Sequence, residues 1–393
     1  MKRGGNSLVS GVDITGVASR YSDLSQSEFD SVNGTGKKGL AIVRLPRGFH
    51  LGLDRFSGLY LWALFIVVFG VWTPRLFFTM ATVHAVASEQ AVAGVVAIAV
   101  LIPLAAGHYD LSVGATANLT GITAVVLQDS CHFPAAVAVL VALGVGLVVG
   151  IVNAVLVVRL GVSSFIATLG MGTILAAVEV IVSSNNQPPP PSSTAWNNFT
   201  QQSVGGFQII VIYLFVLALF FWWLLEHTPA GRYLYAIGGN PDAARLSGVR
   251  VGRWTGASLI LSAGVSGLAG VFFVSQAGPS LSFGSTLLLP AFAAAFLGST
   301  QLQPGKFNVW GTMIAIFVLA TGVQGLQLVS GAEWLNDMFD GVALIVAVAL
   351  AIRRTPTAPR QRPSERDQGG SAPGSADDAA ETVTSGSPAR PRS

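Results

Sequence analysis

Charge is what this 393-residue sequence has least of. Asp, Glu, Lys and Arg together make up 10% of it, against 51% hydrophobic residues, whereas soluble chains carry about 25% charged residues. The few cations are also unevenly placed. No Lys or Arg lies between Arg75 and Arg159, nor between Arg253 and Lys306. A cation at the bilayer centre costs about 2.5–3.5 kcal/mol on insertion scales, so cation-free stretches of this length fit a chain embedded in lipid and exclude water as its main solvent.

Other absences narrow the function. Cys131 is the single cysteine, which excludes an intramolecular disulfide and any cysteine-based metal motif. A phosphate-cradling Gly-x-x-x-x-Gly-Lys-[Ser/Thr] loop is missing: Lys306 follows Gly305, but Phe307 comes next and the upstream glycine is absent. The chain therefore carries no ATPase motif of its own, is expected to bind no cofactor, and any ATP it depends on must be hydrolysed by a partner. No Ser/His/Asp set, acid pair or His-x-x-x-His is placed to form a catalytic or metal site. The basic residues sit in short loops and tails rather than in a patch with interleaved aromatics, so nucleic acid is not an expected partner.

What is present is a series of apolar runs. A membrane helix needs roughly 20 mostly apolar residues, and about ten segments qualify, near 57–73, 82–106, 111–128, 133–158, 163–182, 207–225, 255–275, 286–299, 309–330 and 337–352. The expected fold is an all-α integral membrane protein of about ten transmembrane helices, some broken or re-entrant. The eighth segment is short and contains Pro290, and 107–110 between the second and third need not leave the membrane. With the N-terminus inside, the inside loops hold Arg159, Arg232, Arg245, Arg250, Arg253, Lys306, Arg353 and Arg354, while the outside loops hold only Arg75. Cations favour the cytoplasmic side, so both termini are expected there, in a multi-pass protein of a bacterial cytoplasmic (inner) membrane in contact with lipid.

The expected domain plan has three parts: a polar cytoplasmic tail over 1–55, a polytopic domain over 56–353, and a cytoplasmic tail over 354–393. The first is too long and polar for a cleavable signal peptide. The last has a disorder composition, rich in Pro, Ser, Ala, Gly and charge. The outside loop 183–206 includes Pro188–Pro191, which favours extended polyproline geometry; it can serve as a spacer or help receive a partner.

The inside loop 227–253 is long for a connection within a membrane domain. Gly238-Gly239 permits a sharp turn with positive φ. Asn240 suits an N-cap, Pro241 the first helical position and Asp242 the positive end of the helix dipole. Ala243, Ala244 and Leu246 continue a short helix that Gly248 can end, with Arg245 and Arg250 near its negative end. Such a helix can be a peg for a cytoplasmic partner, or an amphipathic loop resting on headgroups.

That run, Gly231-Arg232…Ala236-Ile237-Gly238-Gly239-Asn240…Ala243-Ala244-Arg245-Leu246-Ser247-Gly248, resembles the coupling loop of ribose-type ABC importer permeases. Three further stretches resemble elements of the same family, in its order: Asp110-Leu111-Ser112-Val113-Gly114, Phe165-Ile166-Ala167-Thr168-Leu169-Gly170-Met171, and Gly298-Ser299-Thr300 with Pro304-Gly305-Lys306 and Gly311-Thr312. The resemblance implies a binding-protein-dependent import system: two permease copies around a path, a separate cytoplasmic ATPase docked through Arg232 and 238–248, and an extracytoplasmic solute-binding protein that delivers a monosaccharide. The sequence departs from the family pattern at His108-Tyr109 and over 284–290, which lacks the acids common there in sugar permeases.

A path for a polar solute needs hydrogen-bonding groups within apolar helices. Asp110, Ser112, Asn118, Asn153, Thr168 and Gln276 are the candidates, with Thr120 and Gln324 beside them. Each can equally bond to a neighbouring helix, and Asp110 can cap the third segment instead of lining the path. Glu89 and Glu179 are the other acids in apolar stretches; neither has an obvious cationic mate. The expected function is thus an ABC importer permease for a small polar solute, a monosaccharide first. A nucleoside, polyol or branched-chain amino acid cargo, and an ATP-independent facilitator or channel, are the alternatives.

Overall fold

Lipid offers no partner to backbone N–H and C=O groups, so an apolar run that crosses it must satisfy them internally, as a helix does. In the computed structural model, which describes residues 53–354 except 333, a helix occupies each of the ten expected apolar stretches. In chain order the helices are α1 (Leu53–Trp72), the short α2 (Pro74–Phe77), α3 (Met80–Ala105), α4 (Val113–Asp129), α5 (Ala135–Ala154, prolonged by a π turn over Val155–Arg159) and α6 (Ser164–Val182). Then come α7 (Thr194–Gln201), α8 (Ile209–His227), α9 (Pro229–Gly239), α10 (Pro241–Leu246), α11 (Val251–Ala277), α12 (Phe283–Ser299), α13 (Val309–Ser330) and α14 (Trp334–Arg354). A two-residue hairpin, β1 (Ser203–Val204) with β2 (Phe207–Gln208), lies between α7 and α8. The expected tails, 1–55 and 354–393, fall almost wholly outside the described residues; Leu53 already opens α1 and Arg354 closes α14.

Seven of these helices are long and apolar enough to cross a membrane: α3, α5 with its π turn, α6, α8, α11, α13 and most of α14. Shorter apolar helices lie within α1 and α12. The helix at the expected third segment, α4, carries Thr116, Asn118, Thr120 and Thr123, and the first three of these are buried against other helices. The expected break in the eighth segment is corrected: α12 runs unbroken through Pro290. Proline is tolerated inside membrane helices where neighbouring helices and local hydroxyls make up for the lost hydrogen bond.

The centre of the bundle is α3 and α11, whose apolar windows are 72% and 67% buried, against 28% for α5 and α6 and 6% for α14. Around them, small residues let backbones approach closely, as membrane helix packing requires. One such approach joins α4 to α12. A Cβ on Gly114 would lie 2.2 Å from the Gly284 carbonyl oxygen, and one on Gly284 would lie 2.1 Å from that of Gly114. Any side chain there would force the two helices apart.

The segment between α6 and α8 is strapped to the end of α11. Trp196 is buried, Thr200 Oγ1 and Ser275 Oγ are 2.9 Å apart, and Gln201 Nε2 donates to the carbonyls of Ser275 and Gln276 at 3.1 and 3.0 Å. Gln187 Nε2 donates to Pro279 O at 2.7 Å. The sequence signalled an extended spacer here; α7 and the hairpin turning at Gly205 and Gly206 are additions.

Candidate functional site

The segment 227–253 folds as two helices, not one. Thr228 and Pro229 start α9, with Pro at its first position. Asn240 caps α10 as its chemistry dictates: its Oδ1 accepts from the N–H groups of Asp242 and Ala243, both at 3.0 Å. Asp242 and Arg245 pair at 3.5 Å on the surface, where such a pair contributes little. Ser247 Oγ donates to Ala243 O at 2.9 Å, and Gly248, at φ +85°, ends the turn. Ala244 faces inward, whereas Leu246 is 91% exposed. Arg232, Gly238, Gly239, Asn240, Ala243, Arg245 and Ser247 are exposed as well. The outcome is a short capped helix with an apolar tip.

One local expectation is corrected. Gly238 and Gly239 make no positive-φ turn; they finish α9 in helical conformation. What demands a glycine at 238 is proximity, because a Cβ there would meet the Ala105 carbonyl oxygen at 2.4 Å. The α9–α10 corner therefore rests on the end of α3, where Gly107, at φ +76°, turns the chain. A second brace comes from the loop after α12. Tyr235 of α9 donates to Phe307 O at 2.6 Å and lies under Lys306 Nζ, 4.2 Å from the ring centroid. Burial, and then the nearby negative Glu226, push the Tyr235 phenol up, so it remains a donor. Asn308 knits that loop together, donating to the carbonyls of Gly298, Gln301 and Lys306 and accepting from Gly311 N–H at 2.7 Å.

From Gly107 the chain runs into the bundle without helical hydrogen bonds, and side chains of α6 supply the missing partners. Tyr109 N–H donates to Ser164 Oγ at 3.1 Å and Leu111 N–H to Thr168 Oγ1 at 2.9 Å. Asp110, 1% exposed, is the hub. Its Oδ1 accepts from the N–H and Oγ of Ser112 at 3.0 and 2.6 Å, and its Oδ2 from Ser262 Oγ on α11 at 2.9 Å. Asn153 Nδ2 on α5 donates to Ser112 Oγ at 2.9 Å, and Ser266 Oγ donates to Val113 O. Asp110, Ser112, Asn153 and Ser262 thus tie α4, α5 and α11 at one point, while Thr168 fastens α6 to it. Apart from the buried Asn153 Oδ1, which has no partner among the described residues, these side chains make their hydrogen bonds within the protein itself.

Asn118 stands elsewhere. One and a half turns along α4 it faces a cavity of about 320 Å³ bounded by α4, α6 and the start of α12. Its Nδ2 donates to Glu179 Oε2 at 2.6 Å and to Leu281 O at 2.8 Å, and its Oδ1 accepts from Gly284 N–H at 3.2 Å. Glu179 is 5% exposed and lines the same space. Sequence reading noticed this acid but did not join it to Asn118, for the two are 61 residues apart; an acid inside an apolar run was the only signal. The remaining candidate, Gln276, lies apart from both groups, donating to Ser88 O at 2.9 Å and to Gln208 Oε1 at 3.1 Å beneath the strapped segment.

Comparison with known proteins places this geometry in a lineage. Residues 82–348 match the family model described as branched-chain amino acid transport system / permease component. The chain is similar to the fructose import permease protein of Rhizobium meliloti (29% identical, over 73% of this chain and 82% of that protein). It is similar also to the ribose import permease protein of Escherichia coli K12 (30%, 69% and 86%) and to the autoinducer 2 import system permease protein of Photorhabdus temperata (27%, 72% and 86%). The matched span contains the capped helix, the Asp110 hub and the Asn118 cavity. With a match over most of its length and seven helices able to span a bilayer, the chain is a multi-pass membrane protein that belongs to the branched-chain amino acid transport system / permease component family.

Proposed function

We propose that the chain is the membrane-spanning permease subunit of an ABC importer, forming the path for a small polar solute, with a monosaccharide as its cargo. In this reading it binds no cofactor and hydrolyses no ATP. A cytoplasmic ATPase docks on the coupling loop 227–253, an extracytoplasmic solute-binding protein delivers the cargo, and two copies of the chain enclose the path. The similarity to ribose and fructose import permeases supports the cargo class. The observation that carries the mechanism is the capped helix α10. It offers Leu246, 91% exposed, to a partner and is seated through Gly238 on the end of α3, so a push on it is transmitted to the chain that turns at Gly107 toward Asp110.

The finer topology belongs to the same proposal. Ten membrane-crossing segments with both termini in the cytoplasm of a bacterial cell put α10 and Arg159, Arg232, Arg245, Arg250, Arg253 and Lys306 on the inside, as the bias of cations demands. Residues 1–55 and 354–393 are then cytoplasmic tails.

Deleting 240–248 tests the reading. Insertion into the membrane should persist while ATP-dependent sugar uptake is abolished; unchanged uptake by the deletion variant would rule out an ATPase-coupled importer.

A further inference from the structure

Within the described residues, the Asn118 cavity holds a feature that neither packing nor the Asp110 hub uses. Glu179 Oε1 is buried and has no hydrogen-bond partner, although Oε2 is fixed by Asn118. An unsatisfied buried carboxylate oxygen is costly unless something arrives to satisfy it. Asn118 cannot be that partner, since its amide is already shared between Glu179, Leu281 and Gly284. Asn118 instead holds the carboxylate at one angle, with the spare oxygen on a cavity wall.

We propose that Glu179, positioned by Asn118, is a cargo-contacting residue whose Oε1 accepts a hydrogen bond from a hydroxyl of a neutral, hydroxyl-bearing solute in this cavity. The inference rests on the importer reading and assigns the recognition chemistry within it.

The rest of the cavity supports that ligand class. Its volume of about 320 Å³ lies at the lower end of small-molecule sites, which run about 300–1,000 Å³. Gly114, Gly172 and Gly284 give it backbone walls, Leu111 and Leu288 give apolar surface for ring C–H groups, and Ser282 and Ser285 add hydroxyls. The wall formed by 284–290 has no acid, so Glu179 is the acidic group on this space. A carboxylate here repels anionic solutes. A permanently charged cation would find one carboxylate and apolar surroundings, whereas a sugar hydroxyl needs only an acceptor. A site built to hydrogen-bond a hydroxyl also discriminates strongly against analogues lacking it, because its own polar group is then left unpaired.

The test uses the permease assembled with its ATPase and binding protein in liposomes, with radiolabelled D-ribose and D-fructose as probes. Uptake, ATP hydrolysis and complex assembly are measured for the unaltered chain, Glu179→Gln and Glu179→Asp. Glu179→Gln keeps the shape and, with its one carbonyl oxygen held by Asn118, puts an NH2 donor where the cavity-facing acceptor stood. It should lower sugar uptake at least about tenfold, the scale of one hydrogen bond to a charged group, and leave assembly and basal ATP hydrolysis intact, so that sugar moved per ATP falls. Glu179→Asp should retain part of the uptake. Uptake unchanged in Glu179→Gln, or uptake and hydrolysis falling in parallel, would overturn the assignment. So would uptake of choline, but of neither sugar, by the unaltered complex, and that result would leave the importer reading standing. Failure of the importer reading is separable, since it shows as uptake surviving deletion of 240–248.

Discussion

Gly238, in the last turn of α9, sits so close to Ala105, the last residue of α3, that a Cβ on it would lie 2.4 Å from the Ala105 carbonyl oxygen. The two residues are far apart in sequence, and their contact connects the exposed capped helix to the buried chain around Asp110. Because both sides of the contact are backbone, neither can yield by rotating a side chain. In the proposed coupling, displacement of α10 is passed through this contact to the turn at Gly107 and to the residues that α6 and α11 hold in place.

Gly238→Val tests that connection. Overpacking of this kind costs about 1–3 kcal/mol and should push α9 off α3. The expected result is normal membrane insertion and ATPase binding, with ATP hydrolysis uncoupled from uptake. Uptake at the unaltered level would show that the contact transmits nothing.

Asp110 is fully enclosed and accepts three hydrogen bonds, from Ser112 N–H, Ser112 Oγ and Ser262 Oγ. Asp110→Ala orphans these donors, each at about 1–3 kcal/mol when buried, and should lower the thermal unfolding midpoint of the detergent-solubilised protein by several degrees. Asp110→Asn keeps an acceptor toward Ser112 and should lower it less. If Asp110→Asn abolished uptake with the midpoint unchanged, Asp110 would be a group of the path rather than a tie between helices.

Arg245 is exposed on α10 and pairs at the surface with Asp242. Arg245→Glu reverses its charge beside Asp242 without disturbing the buried Ala244, so the helix should form while the docking face changes. ATPase recovery in a pull-down from detergent is expected to fall, and to fall less at high salt because screening weakens charge repulsion. Full recovery at low salt would remove Arg245 from the docking face.

Local physics made much of this protein legible from its residues. Charge depletion marked the membrane segments, and each of the ten apolar runs holds a helix, because periodicity hardly matters when the whole run must be apolar. Asn240, Pro241 and Gly248 specified α10 through capping chemistry that acts within a few residues. What escaped depended on partners distant in the chain. The requirement at Gly238 comes from Ala105 rather than from its own φ, so turn propensity misled. Pro290 suggested a break, yet neighbouring helices carry α12 through it. Asn118 and Glu179 looked like separate polar residues, and only the packing of α4 beside α6, with Gly114 against Gly284, makes them one site. The bonds of Gln276 to Ser88 and Gln208, both far away in the chain, were likewise not readable from its own stretch.

The claim on which the rest depends is that the tip of α10 touches an ATP-hydrolysing partner. Cys131 is the sole native cysteine, so a Cys131→Ser background gives a clean test: Leu246→Cys, at the 91% exposed position, is combined with single cysteines along the ATPase surface and oxidised in membranes. A disulfide-linked permease–ATPase band from Leu246→Cys, absent when the new cysteine is placed at Leu140, exposed within the apolar helix α5, is the expected result. Failure of Leu246→Cys to link to any ATPase position, in membranes that still carry out ATP-dependent uptake, would contradict it.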